Sequence, residues 1–174
     1  SHVDPTWVAF LRTLARKDAD PKALRDLHRQ SLQEAPGPDW FSPFFRDLGA
    51  VLHDREAMLV LLHNAAANSA YRGNNELFFL ADALGEADVA AAAMREYMER
   101  RKGFKEGHMN FGDYFALWIA PYSGLRAHPE FKKLLIETGL ADYWRQTGKW
   151  VDACKPVGAD DFECGEAGAC AVEL

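Results

Sequence analysis

The residues best suited to chemistry are three cysteines near the end of the chain, Cys154, Cys164 and Cys170. They are ten and six residues apart, whereas typical zinc pairs have about two to four intervening residues. Three alternatives are open: free thiols in a tail, which we favour; a disulfide between Cys154 and Cys164 in an exported domain; and, least favoured, a metal site of three thiolates with one outside ligand.

Signatures of catalysis are absent from the sequence. It contains no glycine-rich phosphate loop, no His-Glu-x-x-His motif and no Gly-x-Ser-x-Gly motif. The histidines lack the spacing of metal ligands, and no pair of acidic residues stands in a pattern that would raise a carboxyl pKa. We therefore expect a protein that is not an enzyme and that carries no cofactor.

Composition and charge indicate an ordinary soluble domain that does not bind nucleic acid. Hydrophobic residues make up 48% and charged residues 26% of the 174 residues, fractions typical of globular proteins. The net charge of −6 argues against a nucleic-acid surface, because such surfaces usually carry a basic stripe. Most of the charge lies in the tail, where residues 152–174 hold six acidic residues and one lysine.

The chain lacks the pattern of a membrane protein and looks like part of a larger one. No apolar run approaches the roughly 18 residues that a membrane-spanning helix needs, so we expect no membrane insertion. The chain begins without a methionine and shows no signal peptide, which favours a piece of a longer protein. We expect it in the cytoplasm, or in the periplasm if the parent chain is exported.

Glycines and prolines divide the chain into segments of helical length. Trp7, Phe10, Leu11 and Leu14 have the spacing of one helical face. Alternation with a period of two is nearly absent, so we expect no significant sheet. The predicted helices are Thr6–Lys17, Pro21–Ala35, Phe41–His53, Arg55–Tyr71, Glu76–Leu84, Ala87–Lys102, Asp113–Ala120 and Pro129–Thr138.

These helices repeat along the chain with a period near 34 residues. An aromatic residue of the first helix and an alanine of the second recur at this step: Phe10, Phe44 and Phe78, and Ala23, Ala57 and Ala90. A helix–turn–helix unit of this period is the signature of the tetratricopeptide repeat. Stacking buries a seam that one hairpin cannot bury by itself, so about three units are needed.

On these residues, the chain from about Asp4 to Lys102, and more loosely to about Leu140, resembles a degenerate tetratricopeptide-repeat domain. Trp7 and Phe41 stand at the first aromatic position of the family, and Leu84-Gly85 resembles its inter-helix turn. The resemblance implies an all-α, right-handed solenoid of three to four stacked antiparallel helical hairpins over residues 1–140. An aromatic capping segment and an acidic, Cys-containing tail then occupy residues 141–174.

The end of the chain resembles the segment that closes the helical repeats of some bacterial multidomain proteins. The matching residues are Pro129-Glu130-Phe131, Gly139-Leu140, Tyr143-Trp144-Arg145, Gly148, Trp150, Asp152 and Cys154. In those proteins the repeats follow a nucleotide-cyclase or winged-helix regulator domain, which implies a regulatory parent protein. We expect Tyr143, Trp144 and Trp150 to cover the open end of the last hairpin.

The repeat register predicts a binding groove on the concave face, which the first helices of such repeats line. Arg12 and Arg46 are 34 residues apart and would form a row that binds carboxylates. The other candidate groove residues are Asn75, Phe79, Asp82, Tyr114 and Trp118. We favour the alternative, that both arginines are solvated or paired with a nearby acid, and that Phe79 and Trp118 belong to the core.

Taken together, these observations predict a non-catalytic protein–protein interaction module from a larger bacterial regulatory protein. It would bind a peptide or a neighbouring domain, with an acidic segment as the expected partner. The acidic tail could fill the groove in cis or in a second copy, which would make a homodimer. The alternative is a small-molecule sensor that regulates an attached cyclase or DNA-binding domain, and it predicts an enclosed pocket instead of an open groove.

Overall fold

The computed structural model describes residues 5–37, 39–71, 74–100, 118 and 123–165. Within them the protein is mostly helical, as predicted, and ends in a small two-stranded hairpin. The helices are α1 Pro5–Leu14, α2 Pro21–Glu34, α3 Pro43–Leu48, α4 Arg55–Ala67, α5 Asn75–Ala83, α6 Ala87–Arg100, α7 Ser123–Ala127, α8 Pro129–Glu137 and α9 Leu140–Thr147. The strands are β1 Cys154–Val157 and β2 Asp161–Cys164. The helix predicted over Asp113–Ala120 lies outside the described residues except at Trp118.

Helix starts follow from local sequence. Prolines occupy the first turn of α2, α3 and α8, where a missing N–H group leaves no helical hydrogen bond unmade. The carboxylate of Asp54 caps α4 by accepting from the backbone N–H groups of Glu56 and Ala57 at 3.0 and 3.1 Å. Asn74 caps α5 in the same way through Glu76 N–H at 3.0 Å, as its position before the helix predicts.

Consecutive helices pack in pairs: α1 with α2, α3 with α4, α5 with α6, and α8 with α9. Helices α1, α4 and α6 all contact helix α5. It is buried along nearly its whole length, including five consecutive residues from Leu77 to Ala81. Helix α6 also contacts α7 and α8, and so it connects the N-terminal pairs to the C-terminal part of the chain.

The three phenylalanines that recur at a 34-residue step are all buried. Phe10 packs edge-on against Phe45 with ring centroids 5.5 Å apart. The Phe44 ring lies 6.3 Å from Tyr71, and the Phe78 ring lies 5.5 Å from Tyr97. Edge-on aromatic pairs of this kind add to the free energy of burial itself.

The C-terminal hairpin contains a disulfide, which corrects our preferred prediction of free thiols. Cys154 and Cys164 lie opposite each other in the antiparallel pair and are bonded to each other. Neither sulfur is therefore a thiolate ligand, and the metal-site alternative fails for this pair. Cys170 lies outside the described residues.

The hairpin is also the exception to the expectation of no sheet. Its strands of four residues each are too short for an alternating pattern to stand out in the sequence.

The hairpin closes the aromatic end of the molecule. Phe162 is buried and packs against Trp144 and Trp150 with ring centroids 6.5 and 5.8 Å apart. Lys132 of α8 forms an ion pair with Asp161 at 2.5 Å. Tyr143 does not take part, since 54% of its surface is exposed: on α9 it follows the buried Ala141 by two residues, which turns it toward solvent.

Candidate functional site

The predicted groove residues differ in their exposure. Arg12 and Arg46 are both exposed, and Asn75 is partly exposed at the start of α5. Phe79 is buried against Phe78 at 4.3 Å, because α5 is packed on several sides and has no open face at that position. Tyr114 lies outside the described residues.

Asp82 and Trp118 also contact other parts of the fold. Burial raises the pKa of Asp82 to about 6, although the Leu125 N–H group and the charge of Arg126 act to lower it. Its carboxylate accepts from Leu125 N–H at 2.6 Å, which ties α5 to α7. Trp118 packs edge-on against Phe131 and Trp144 at 5.8 and 6.0 Å. Both residues thus have partners within the fold.

An open groove lies instead between α6 and α8, which we call the α6–α8 groove. It has a volume of about 530 Å³. Its lining residues come from one stripe of α6 and from the start of α8: Asp88, Ala91, Ala92, Arg95, Glu96, Glu99, His128 and Glu130. The α6 residues recur at steps of three and four, so the helical period places them on one face.

The floor and the rim of the groove differ in chemistry. Ala91 is buried and Ala92 exposed, and their small side chains leave space where larger ones would fill the cleft. Acidic side chains stand around them at Asp88 and Glu99, both exposed. The arrangement is an apolar floor with carboxylates at each end of the α6 stripe.

Arg95 holds the two walls of the groove together. Its Nη2 donates to Glu130 Oε2 at 2.9 Å, and its Nη1 pairs with the carboxylate of Glu137. Burial lowers the pKa of Arg95, but the hydrogen bonds and charges of Glu137 and Glu130 outweigh this and raise it. The guanidinium therefore stays charged, and its charge is already balanced by two carboxylates of α8.

His128 links the two walls of the groove, α6 and α8, where both helices begin. As the N-cap of α8, its Nδ1 accepts from Glu130 N–H at 3.2 Å. Since Nδ1 accepts there, the ring proton sits on Nε2, which donates to Asp88 Oδ1 at 3.0 Å. The imidazole therefore ties the start of α8 to Asp88 near the start of α6.

The groove is therefore negative overall. Four carboxylates line it, at Asp88, Glu96, Glu99 and Glu130, against the single guanidinium of Arg95. Glu96 has an ion pair with Arg100 at 2.7 Å. Among the residues that the structure describes, Asp88, which is bonded to His128, and Glu99 are the lining carboxylates with no lysine or arginine partner. Our sequence reasoning missed this site. Its signal is the run of four alanines, Ala90 to Ala93, set between acidic residues.

The site offers a binding surface with an apolar floor and charged ends. In the described part of the chain, no group of three His, Cys, Asp or Glu residues could hold a metal ion. No helix of that part is long and apolar enough to cross a membrane. Comparisons with protein-family models, with curated proteins and with solved structures found no match to this chain.

Proposed function

We propose that the protein is a non-catalytic interaction module of a larger bacterial regulatory protein, and that it binds a segment of a partner protein. The observation that carries the proposal is the α6–α8 groove, which is open to solvent and has an apolar floor. Its charged groups pair mainly with one another, as Arg95 does with Glu130 and Glu137. A small-molecule site would more typically enclose its ligand and converge a few polar groups on it.

The proposed scaffold is a degenerate tetratricopeptide-like array of helical hairpins with a C-terminal cap. Two observations support it: the helices pack in consecutive pairs, and Phe10, Phe44 and Phe78 are buried at a 34-residue step. Helix α1 also contacts α5 directly, which a straight stack of hairpins does not require. We attribute this contact to the short α3, only six residues long, which separates its neighbours less than a full-length helix.

A second binding surface, formed by Arg12 and Arg46 and suited to an acidic partner, stays a prediction. Both side chains are exposed, so they are available to a carboxylate ligand. Part of the charge of Arg46 acts on Glu76, whose pKa it helps to lower against the effect of burial. Replacing both arginines by Glu should abolish binding of an acidic peptide at low salt and leave it unaffected at high salt, where exposed charges are screened. Equal binding of the wild type and the variant at low salt would show that both arginines are ordinary surface.

The disulfide supports the periplasmic alternative for location. Disulfides form and persist in oxidising compartments and are rare in the reducing cytosol. The Cys154–Cys164 bond therefore favours an exported parent chain over the cytoplasmic location that we expected. Mass spectrometry of the protein from native cells, alkylated before lysis, would detect the linked peptides or the two free thiols.

A photo-crosslinking experiment tests the proposed function. A benzoylphenylalanine at position 92, within the groove, should form adducts of discrete mass with a partner protein in native cells. The matched control is the same residue at position 67, which is equally an exposed alanine but lies at the end of α4. Adducts at both positions, or at neither, would contradict binding in the groove. A metabolite that protects position 92 from labelling would instead support the sensor alternative.

A further inference from the structure

The two end carboxylates of the α6–α8 groove have a defined separation. Asp88 and Glu99 lie on the same helix, eleven residues apart. At 1.5 Å per residue this places their Cα atoms about 16 Å apart along the helix axis. Both are on the stripe that lines the groove, so a ligand that follows the groove meets one carboxylate near each end.

Between these ends, among the described residues, every other charged lining residue of α6 has an ion-pair partner of opposite charge. Ala91 and Ala92 form the floor, and the guanidinium of Arg95 is shared by Glu130 and Glu137. Glu96 is paired with Arg100. A complementary ligand therefore carries positive charge at two separated points and small apolar groups in the middle.

An extended peptide meets this requirement only at particular spacings. Its residues rise about 3.3 Å each, and only every second side chain points to the same face. Two basic residues four positions apart are thus about 13 Å apart on one face, and the long side chains of Arg or Lys cover the remaining distance. The side chain halfway between them falls on the alanine floor.

We infer that the α6–α8 groove binds an extended segment of another protein in which two basic residues, four positions apart, flank a small apolar residue. This inference rests on the proposed function and names its partner chemistry. The acidic tail of this chain is unsuited to the groove, because residues 152–174 hold six acidic residues and one lysine and would be repelled. Its hairpin is already docked elsewhere, through Lys132 and Arg145.

The test compares synthetic peptides of one composition. The probe is acetyl-Gly-Arg-Ser-Val-Ser-Arg-Gly-amide, and its isomer acetyl-Gly-Ser-Arg-Arg-Val-Ser-Gly-amide has adjacent arginines. A third peptide carries Glu in place of both arginines of the probe. We expect the probe to bind to the full chain several-fold more tightly than its isomer by NMR titration, and the Glu peptide not to bind. Equal affinity of the two arginine peptides would overturn the inference, since general charge attraction would then suffice.

Variants of the protein locate the binding site. Asp88→Asn with Glu99→Gln should reduce the affinity of the probe by about three- to tenfold, since an exposed ion pair contributes a factor of up to about five. The matched control is Asp142→Asn with Glu163→Gln, which changes the net charge equally at exposed carboxylates of α9 and β2. The single variant Glu99→Gln, near the exposed end of α6, serves if the double variant melts at a lower temperature.

The outcomes separate this inference from the proposed function. A loss of affinity in the control equal to that in the groove variant would place the binding elsewhere and overturn the inference. Crosslinking at position 92 together with equal binding of the arginine peptides would leave the interaction module standing and reject only the partner chemistry. If position 92 forms no crosslink and the probe does not bind more tightly than its isomer, the two proposals are rejected together.

Discussion

Ser42 and Glu76 join the start of α3 to the start of α5 by three hydrogen bonds across one repeat period. The hydroxyl of Ser42 donates to Glu76 Oε2 at 2.5 Å, and its backbone N–H donates to both carboxylate oxygens at 3.1 and 3.2 Å. Ser42 Oγ also accepts from Phe45 N–H at 3.2 Å and so caps α3. Burial raises the pKa of Glu76, while the donors from Ser42 and the charge of Arg46 act to lower it.

Removing the hydroxyl of this link should destabilise the protein. Ser42→Ala loses the cap of α3 and takes one donor from a buried carboxylate, and we expect the free energy of unfolding to fall by about 1–3 kcal/mol. Ser69→Ala is the control, because Ser69 is exposed, and such substitutions usually change stability by less than about 0.5 kcal/mol. Urea denaturation measures both. Equal effects of the two substitutions would show that the link is dispensable.

The buried carboxyl of Asp82 predicts a pH-dependent stability. Its pKa is raised from 3.8 to about 6, so the folded protein holds this proton more tightly than the unfolded chain does. The stability due to this group is therefore full below pH 3.8 and is lost as the pH rises through about 6. A shift of this size corresponds to about 3 kcal/mol.

Asp82→Asn tests this dependence, since the amide oxygen can still accept from Leu125 N–H. We expect the variant to gain stability relative to the wild type between pH 4.5 and pH 7, by about 2 kcal/mol, as measured by urea denaturation at both values. Asp39→Asn, at an exposed site, should show no such gain. A difference between Asp82→Asn and the wild type that does not change with pH would refute the assignment.

The parts of the fold that sequence predicted are those set by local signals. Prolines at the starts of α2, α3 and α8, and a polar cap such as Asn74, specify helix ends within a few residues. The burial of α5 was not predictable in this way. Its enclosure depends on α1, α4 and α6 all meeting it, and it places Phe79 in the core, the position that we favoured over the groove.

The candidate site escaped prediction because it forms between helices distant in sequence. The four alanines of α6 indicate close packing or a cleft equally well, and only the position of α8 decides between them. Similarly, the spacing of Cys154 and Cys164 was compatible with three chemical states. The turn at Gly158, where φ is 64°, returns the chain so that the two cysteines lie opposite each other. That register is a property of the hairpin and is not visible in the spacing.

His28 and Gly49 predict a non-additive pair of substitutions. His28 is buried and donates from Nε2 to the carbonyl oxygen of Phe45 at 2.7 Å. A Cβ atom at Gly49 would lie 2.6 Å from Cε1 of this ring, so Gly49→Ala should destabilise the protein by about 1–3 kcal/mol. In a His28→Ala background the ring is gone and only the Arg46 carbonyl oxygen, 3.3 Å from the added Cβ, remains close, so Gly49→Ala should have a smaller effect. Gly37→Ala is the control, since no atom lies within 4 Å of its added Cβ. Additive effects in the double variant, measured by urea denaturation, would exclude the collision.

The disulfide should be essential to the C-terminal closure. A hairpin with four-residue strands is marginal without support, and a bond that closes a loop of this size contributes about 3 kcal/mol. We expect a reductant to lower the melting temperature by about 6–12 °C and to shift tryptophan fluorescence to the red, because Trp144 and Trp150 pack on Phe162 of β2. Cys170→Ser should respond to reductant like the wild type. The variant with Cys154→Ser and Cys164→Ser should already melt low and not respond. A melting temperature of the wild type that reductant leaves unchanged would show that the aromatic contacts hold the hairpin without the bond.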